Sequence, residues 1–143
     1  MIDFVYSSGS LIAIFIERNF SPRKTEFFTP VEEPMQLGVG VYSKGSFVGP
    51  HTHSGLPTQV TEYQEFVFLR KGSAITEVFG KEGEFLKRYQ MNEGDLLLLF
   101  RGGHSFHFLE ETELLEVKQG PYGGRELMKQ MLSVANQETD SNL

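Results

Sequence analysis

The chain has 143 residues, with 13 Lys and Arg against 19 Asp and Glu, a net charge of -6, and neither cysteine nor tryptophan. That length suits one domain with a single sizeable core. The absence of cysteine excludes disulfides, a thiol nucleophile, iron–sulfur clusters and thiolate zinc, and the thinly spread basic residues give no stripe to follow a phosphate backbone, so nucleic acid is not an expected partner.

In chain order, the first predicted strands cover 2–6 and 11–17. The second contains the apolar run Leu11 to Ile16, too short to span a bilayer, and the segment before it carries Asp3 without a basic residue, unlike a secretion signal. A soluble, cytoplasmic protein with no membrane partner is the expectation. Further strands are predicted at 25–28, 35–43, 46–53, 64–70, 73–80, 84–91, 95–100, 105–109 and 113–119. Turn residues such as Lys71-Gly72, Asn92-Glu93-Gly94-Asp95 and Gly102-Gly103 separate them. Many short strands of period two imply an all-β sandwich or barrel rather than a parallel sheet with crossover helices. Leu96 to Phe100 is apolar throughout and reads as a strand buried on both faces. Beyond Pro121, Met128, Met131, Leu132 and Ala135 recur at helical spacing. They predict one short C-terminal helix over 125–135, its stripe packed on the outside of a sheet, before a frayed polar tail at 137–143. Residues 1–143 read as one domain.

The four histidines fall in two windows, His51 with His53 and His104 with His107. On a strand, His51 and His53 share a face, which is half of a transition-metal site or an exposed pair at a strand end. Glu65 shares a face with Val67 and Leu69, where a lone carboxylate is costly to bury. A metal ion, a nearby Lys or Arg, or water at the strand end would relieve it. His104 and Phe106 share one face, and Ser105 and His107 the other, so both histidines do not enter one inner site. Gly102-Gly103 favours His104 at a strand mouth, which leaves His107 to packing or the surface. Tyr63, Gln64, Arg101, Lys118, Gln119 and Tyr122 lie near strand ends. There they either orient an anionic or polyhydroxylated ligand or are ordinary surface residues.

Gly45, five residues, then His51-Thr52-His53, with Glu65, six residues and Gly72, resembles the first motif of the cupin superfamily. Gly94-Asp95-Leu96-Leu97-Leu98-Leu99 followed by Gly102-Gly103-His104 is similar to the second. Two departures stand out: eleven residues separate His53 from Glu65, more than the family's short gap, and Phe100 stands where the motif has proline. The longer gap makes Glu62 a rival to Glu65, although only Glu65 has a glycine seven positions on. Tyr63 to Gly72 and Glu116 to Tyr122 look like one branch of small single-domain cupins generally labelled only by their fold.

The resemblance implies a double-stranded β-helix, the cupin or jelly-roll barrel, with a short C-terminal helix. It implies one divalent transition metal on His51, His53, Glu65 and His104, a donor set that suits iron, manganese, nickel, copper or zinc. The implied function is metal-dependent binding of, or action on, a small polar molecule, with Tyr63, Arg101 and Lys118 as substrate contacts. As an enzyme, it would be an oxygenase, isomerase or lyase. The alternatives are a non-catalytic ligand-binding or sensing cupin and a metal-free sugar-nucleotide epimerase or isomerase. The last would need a His–Asp dyad, yet aspartate occurs only as Asp3, Asp95 and Asp140, which leaves a His–Glu pair as substitute. A homodimer is also implied, made by pairing or exchanging edge strands, with Leu11 to Ile16 as the candidate edge.

Overall fold

The computed structural model describes residues 1–121, and every regular element within them is a β-strand. In chain order these are β1 (Ile2–Ser7), β2 (Ser10–Ile16), β3 (Glu26–Phe27), β4 (Gly38–Val39), β5 (Glu65–Lys71), β6 (Ser73–Phe79), β7 (Phe85–Asn92), β8 (Leu96–Leu99), β9 (Gly103–Phe108) and β10 (Glu113–Lys118). They divide between two compact units, Met1–Arg18 with Glu62–Leu143, and Asn19–Thr61. The helix predicted at 125–135 and the tail at 137–143 lie outside the described residues.

The larger unit holds a five-stranded sheet in the order β1-β2-β8-β5-β10 and a three-stranded sheet in the order β7-β6-β9, antiparallel throughout. Alternation explains both inner faces. Ala13, Phe15, Val67, Leu69, Leu97 and Leu99 from the first sheet join Ala74, Val78, Tyr89 and Met91 from the second in one buried cluster. The ring of Phe15 on β2 stacks on that of Tyr89 on β7, with centroids 4.2 Å apart. The architecture is therefore a β-sandwich. Burying a large aliphatic or aromatic side chain contributes about 1.5–3 kcal/mol, so this shared cluster dominates the stability of the unit.

The expected closed barrel is not formed, because the sheets do not join into one ladder. β1 and β10 end one sheet, and β7 and β9 end the other. Side chains instead link β1 to β7: the Tyr89 hydroxyl donates to Asp3 Oδ2 at 2.8 Å, and Lys87 Nζ lies 3.2 Å from the same oxygen. The expected edge role of Leu11 to Ile16 also fails. β2 lies between β1 and β8, with both ladders made and all six residues buried.

The turn between β7 and β8 is stapled by Asp95, which is only 3% exposed. Its carboxylate accepts from the Arg18 and Asn92 backbone N–H groups at 2.9 and 2.8 Å, while its carbonyl accepts from Leu69 N–H at 2.9 Å. Gly94 is required beside it. Its φ is +91°, and a Cβ there would lie 2.8 Å from Arg18 Cβ.

The smaller unit has little ladder. Its strands are two residues each, and the Thr29 hydroxyl, the Gln36 side chain and the Thr25 hydroxyl tie the loops around them. The strands predicted at 25–28 and 35–43 shrink to β3 and β4, and none forms over 46–53. Local chemistry explains the last difference: Gly45 takes φ +84°, a turn closes from Ser46 N–H to Ser43 O, and Pro50 has no N–H to offer a ladder.

Two predictions follow from the larger unit. Asp95→Ala leaves two backbone donors without their carboxylate and lowers stability by about 2–4 kcal/mol in urea unfolding. A loss under about 0.5 kcal/mol would mean that the staple carries nothing. The second prediction concerns pH. Burial pushes the Tyr89 phenol above the ordinary tyrosine value, and the hydrogen bond and charge of Asp3 push it the same way. Burial works against the Asp3 charge, but the Tyr89 hydrogen bond and Lys87 outweigh it and hold its carboxyl below the ordinary value. A raised tyrosine contributes stability below its unfolded pKa of about 10, and that contribution is lost as pH rises past it; the Asp3 contribution is present at neutral pH and is lost in acid. Wild-type stability therefore falls faster above pH 10 than that of Tyr89→Phe, and parallel alkaline profiles would contradict the assignment.

Candidate functional site

Cross-strand register assembles the site in the larger unit. One inward row of the five-stranded sheet runs Val5, Ala13, Leu99, Glu65, Lys118 across β1, β2, β8, β5 and β10. The next runs Asp3, Phe15, Leu97, Val67, Glu116. Each row is apolar in its middle and charged toward β10, so a polar cluster forms where that sheet ends. In the three-stranded sheet, His104 lies opposite Val78 and Phe106 opposite Thr76, on the inward face. Ser105 and His107 point the other way and are exposed. Strand parity thus separates the two histidines of this window.

Glu65 and His104 meet between the two sheets, with His104 Nε2 3.6 Å from Glu65 Oε2. The Glu65 side chain is 14% exposed. Its other oxygen lies 3.2 Å from Lys118 Nζ, which is also 3.5 Å from Glu116 Oε2. Burial works against the Lys118 charge, yet the hydrogen bond and charge of Glu65, then those of Glu116, raise its pKa above the ordinary lysine value. Lys118 is therefore a fixed cation at neutral pH rather than an amine nucleophile. The His104 ring packs edge-on against Phe106 at 5.2 Å between centroids. Gly102 enables the turn before it: its φ is +76°, and a Cβ there would lie 2.3 Å from the Phe79 carbonyl oxygen.

The remaining candidates are placed differently. Glu62 pairs with Lys81 and lies 3.9 Å from Arg101 Nε. Of the two rival carboxylates, then, it is Glu65 that lies beside His104. Arg101 also donates to the Leu11 carbonyl, which ties its turn to β2. Tyr63 precedes β5 and is exposed. In the smaller unit, the His51 and His53 rings lie 5.0 Å apart and edge-on. They are on a loop, so strand alternation is not what pairs them. His51 Nδ1 lies 2.9 Å from the Gly49 carbonyl oxygen. If that nitrogen carries the proton, Nε2 keeps its lone pair for a ligand.

Glu116 carries weight that the sequence did not signal, and Gln64, one of the candidates near a strand end, is buried rather than at the surface. Glu116 lies opposite Val67 on the inward face and provides Lys118 with a second carboxylate. Gln64 is 2% exposed; its backbone N–H donates to Gln119 Oε1 at 2.6 Å, and its own Oε1 is buried without a hydrogen-bond partner among the described residues. Such an acceptor is a place for a water or a ligand hydroxyl.

As donors for a metal ion, the residues come in pairs. Two ligands held at about 2.1 Å by one tetrahedral or octahedral ion are about 3.0–3.4 Å apart, close to the Glu65–His104 separation. That pair and the His51–His53 pair each fit half of a site. Among the described residues no group of three or more His, Asp or Glu is gathered about one point. Without a metal, the same cluster can hold an anion on Lys118 and move a proton at His104, with Glu65 orienting the imidazole.

No helix among the described residues is long and apolar enough to cross a membrane. Comparison with family models, with curated proteins and with solved structures gives no match for the chain.

Proposed function

We propose that the protein is a cupin-type β-domain that binds a small polar molecule at the end of its sandwich, centred on Glu65 and His104. One observation carries the reading: a carboxylate from one sheet and an imidazole from the other meet at 3.6 Å at the end of an apolar interior. A largely enclosed carboxylate row-mate of Ala13 and Leu99 serves no apolar packing, which supports a chemical role. In this reading, Glu65 and His104 are two ligands of one divalent iron, manganese, nickel, copper or zinc ion. Bound there, the ion supplies Lewis acidity or a redox couple to a ligand in its open position. The protein's own groups bind and orient. Lys118 presents a permanent positive charge to an anionic group of the ligand, and Tyr63 and Arg101 are proposed as further ligand contacts.

A second reading is favoured by Lys118, which already neutralises Glu65 at 3.2 Å. Here the cluster is metal-free, and it either binds its ligand without turnover or uses His104 as an acid–base group oriented by Glu65, as an epimerase would.

Elemental analysis of the purified full chain separates the two. The metal reading predicts about one ion per chain, falling below about a tenth in His104→Ala and in Glu65→Ala and unchanged in Glu62→Ala. Substoichiometric metal after loading with each first-row ion would leave the metal-free reading. Retention in Glu65→Ala with loss in Glu62→Ala would transfer the carboxylate role to Glu62.

A further inference from the structure

Of the strands that end the two sheets, β1 and β7 are tied to each other through Asp3, Tyr89 and Lys87. β10 ends the five-stranded sheet, and among the described residues it pairs with β5 alone. Its neighbours fix where its unused backbone groups point. The N–H and carbonyl of Leu69 bond to Asp95 and Gly94, on the β8 side of β5, whereas Gln64 N–H reaches Gln119 on the β10 side. An antiparallel ladder alternates, so Phe66 and Phe68 turn their backbone groups to Val117 and Leu115. Leu114, Glu116 and Lys118 then turn theirs to the open edge. Side chains alternate as well: Leu115 and Val117 are exposed on the outer face, and Glu116 and Lys118 carry opposite charges on the inner one.

We propose that this edge pairs with the same edge of a second copy of the chain, antiparallel, about a two-fold axis through Val117. Inward charges on an edge strand keep an ordinary strand from adding to it. A second copy differs, because the edge is complementary to itself. With Val117 opposite Val117 of the second copy, Glu116 faces that copy's Lys118, and Lys118 faces its Glu116. These are the residues whose backbone groups point outward, so each such pair can exchange both N–H···O bonds. Centring on Glu116 would instead set two carboxylates opposite each other, and centring on Leu115 would set Glu116 against Leu114. Opposite charges across a ladder stabilise it and like charges destabilise it, which selects the Val117 register. The two five-stranded sheets then become one continuous sheet, with Phe66 and Val117 of both copies in a single outer stripe. Each Lys118, which lies against Glu65 of its own chain, gains a carboxylate from the second copy, so the two candidate sites adjoin across the axis. The pairing requires no metal in the cluster. One edge strand from each copy is a small contact, which implies micromolar rather than nanomolar affinity.

The full chain has no cysteine, so single cysteines report the register. At position 117 the two Cα atoms would lie about 4.5 Å apart, within disulfide range, and at position 115 about 14 Å apart. Mild oxidation should therefore cross-link Val117→Cys into a dimer and leave Leu115→Cys as single chains. Size exclusion with light scattering should show wild-type dimers that dissociate on dilution through the micromolar range. Val117→Asp, which sets two carboxylates on the axis, should weaken the dimer at least about tenfold. Tyr6→Asp adds the same charge at an exposed outer position on β1 and should match wild type. A wild-type monomer at every concentration overturns the proposal. So does a dimer that survives Val117→Asp, one that Tyr6→Asp weakens equally, or cross-linking of Leu115→Cys as readily as Val117→Cys.

Discussion

Placing a carboxylate on the inner face of a β-sandwich is the constraint around which the candidate site is organised. Glu65 occupies a row otherwise filled by Val5, Ala13 and Leu99, and its strand continues inward with Val67 and Leu69. An ionised group there must be compensated, because desolvation costs several kcal/mol when no partner is present. Its position at the start of β5 brings two partners within reach. His104 comes from the opposite sheet, and Lys118 comes from the neighbouring strand in register. The charged cluster and the apolar core are therefore one design, with the sandwich closing on Leu99 and opening on Glu65.

The rest of the larger unit holds that arrangement still. Asp95 staples the turn that feeds β8, the strand paired with β5. Asp3, Tyr89 and Lys87 join β1 to β7 by side chains where a barrel would have used a backbone ladder. The Tyr89 ring meanwhile stacks on Phe15 in the core. Because these ties lie away from Glu65, substitutions in the cluster can change its chemistry without removing the core. Charged groups and packing groups share the same rows, with the cluster at the β5 and β10 end.

Much of this was legible locally. Alternation places Glu65 with Val67 and Leu69 and separates His104 from His107, and the unbroken apolar run Leu96 to Phe100 marks a strand covered on both faces, of which Leu97 to Phe100 are buried. What was not legible depends on non-local register or on backbone conformation. The pairing of Lys118 with Glu65 requires β10 to lie beside β5, and no feature of residues 113–119 announces that neighbour. The same holds for Glu116, which reads as a surface charge until Val67 is seen opposite it. His51 and His53 are close for a different reason than alternation supplies, since Pro50 and the Gly45 turn keep 46–53 out of any sheet. Leu11 to Ile16 looks like a spare edge because it is so apolar. It is apolar because it is covered on both sides and paired on both edges.

The proposed metal reading makes Glu65 and His104 two ligands of one centre. The most direct measurement is anomalous diffraction at the metal edge from crystals of the metal-loaded full chain. That reading predicts a single strong peak at about 2.0–2.2 Å from both Glu65 Oε2 and His104 Nε2. A metal-loaded crystal with its peak elsewhere, and with Glu65 still paired to Lys118, would contradict it.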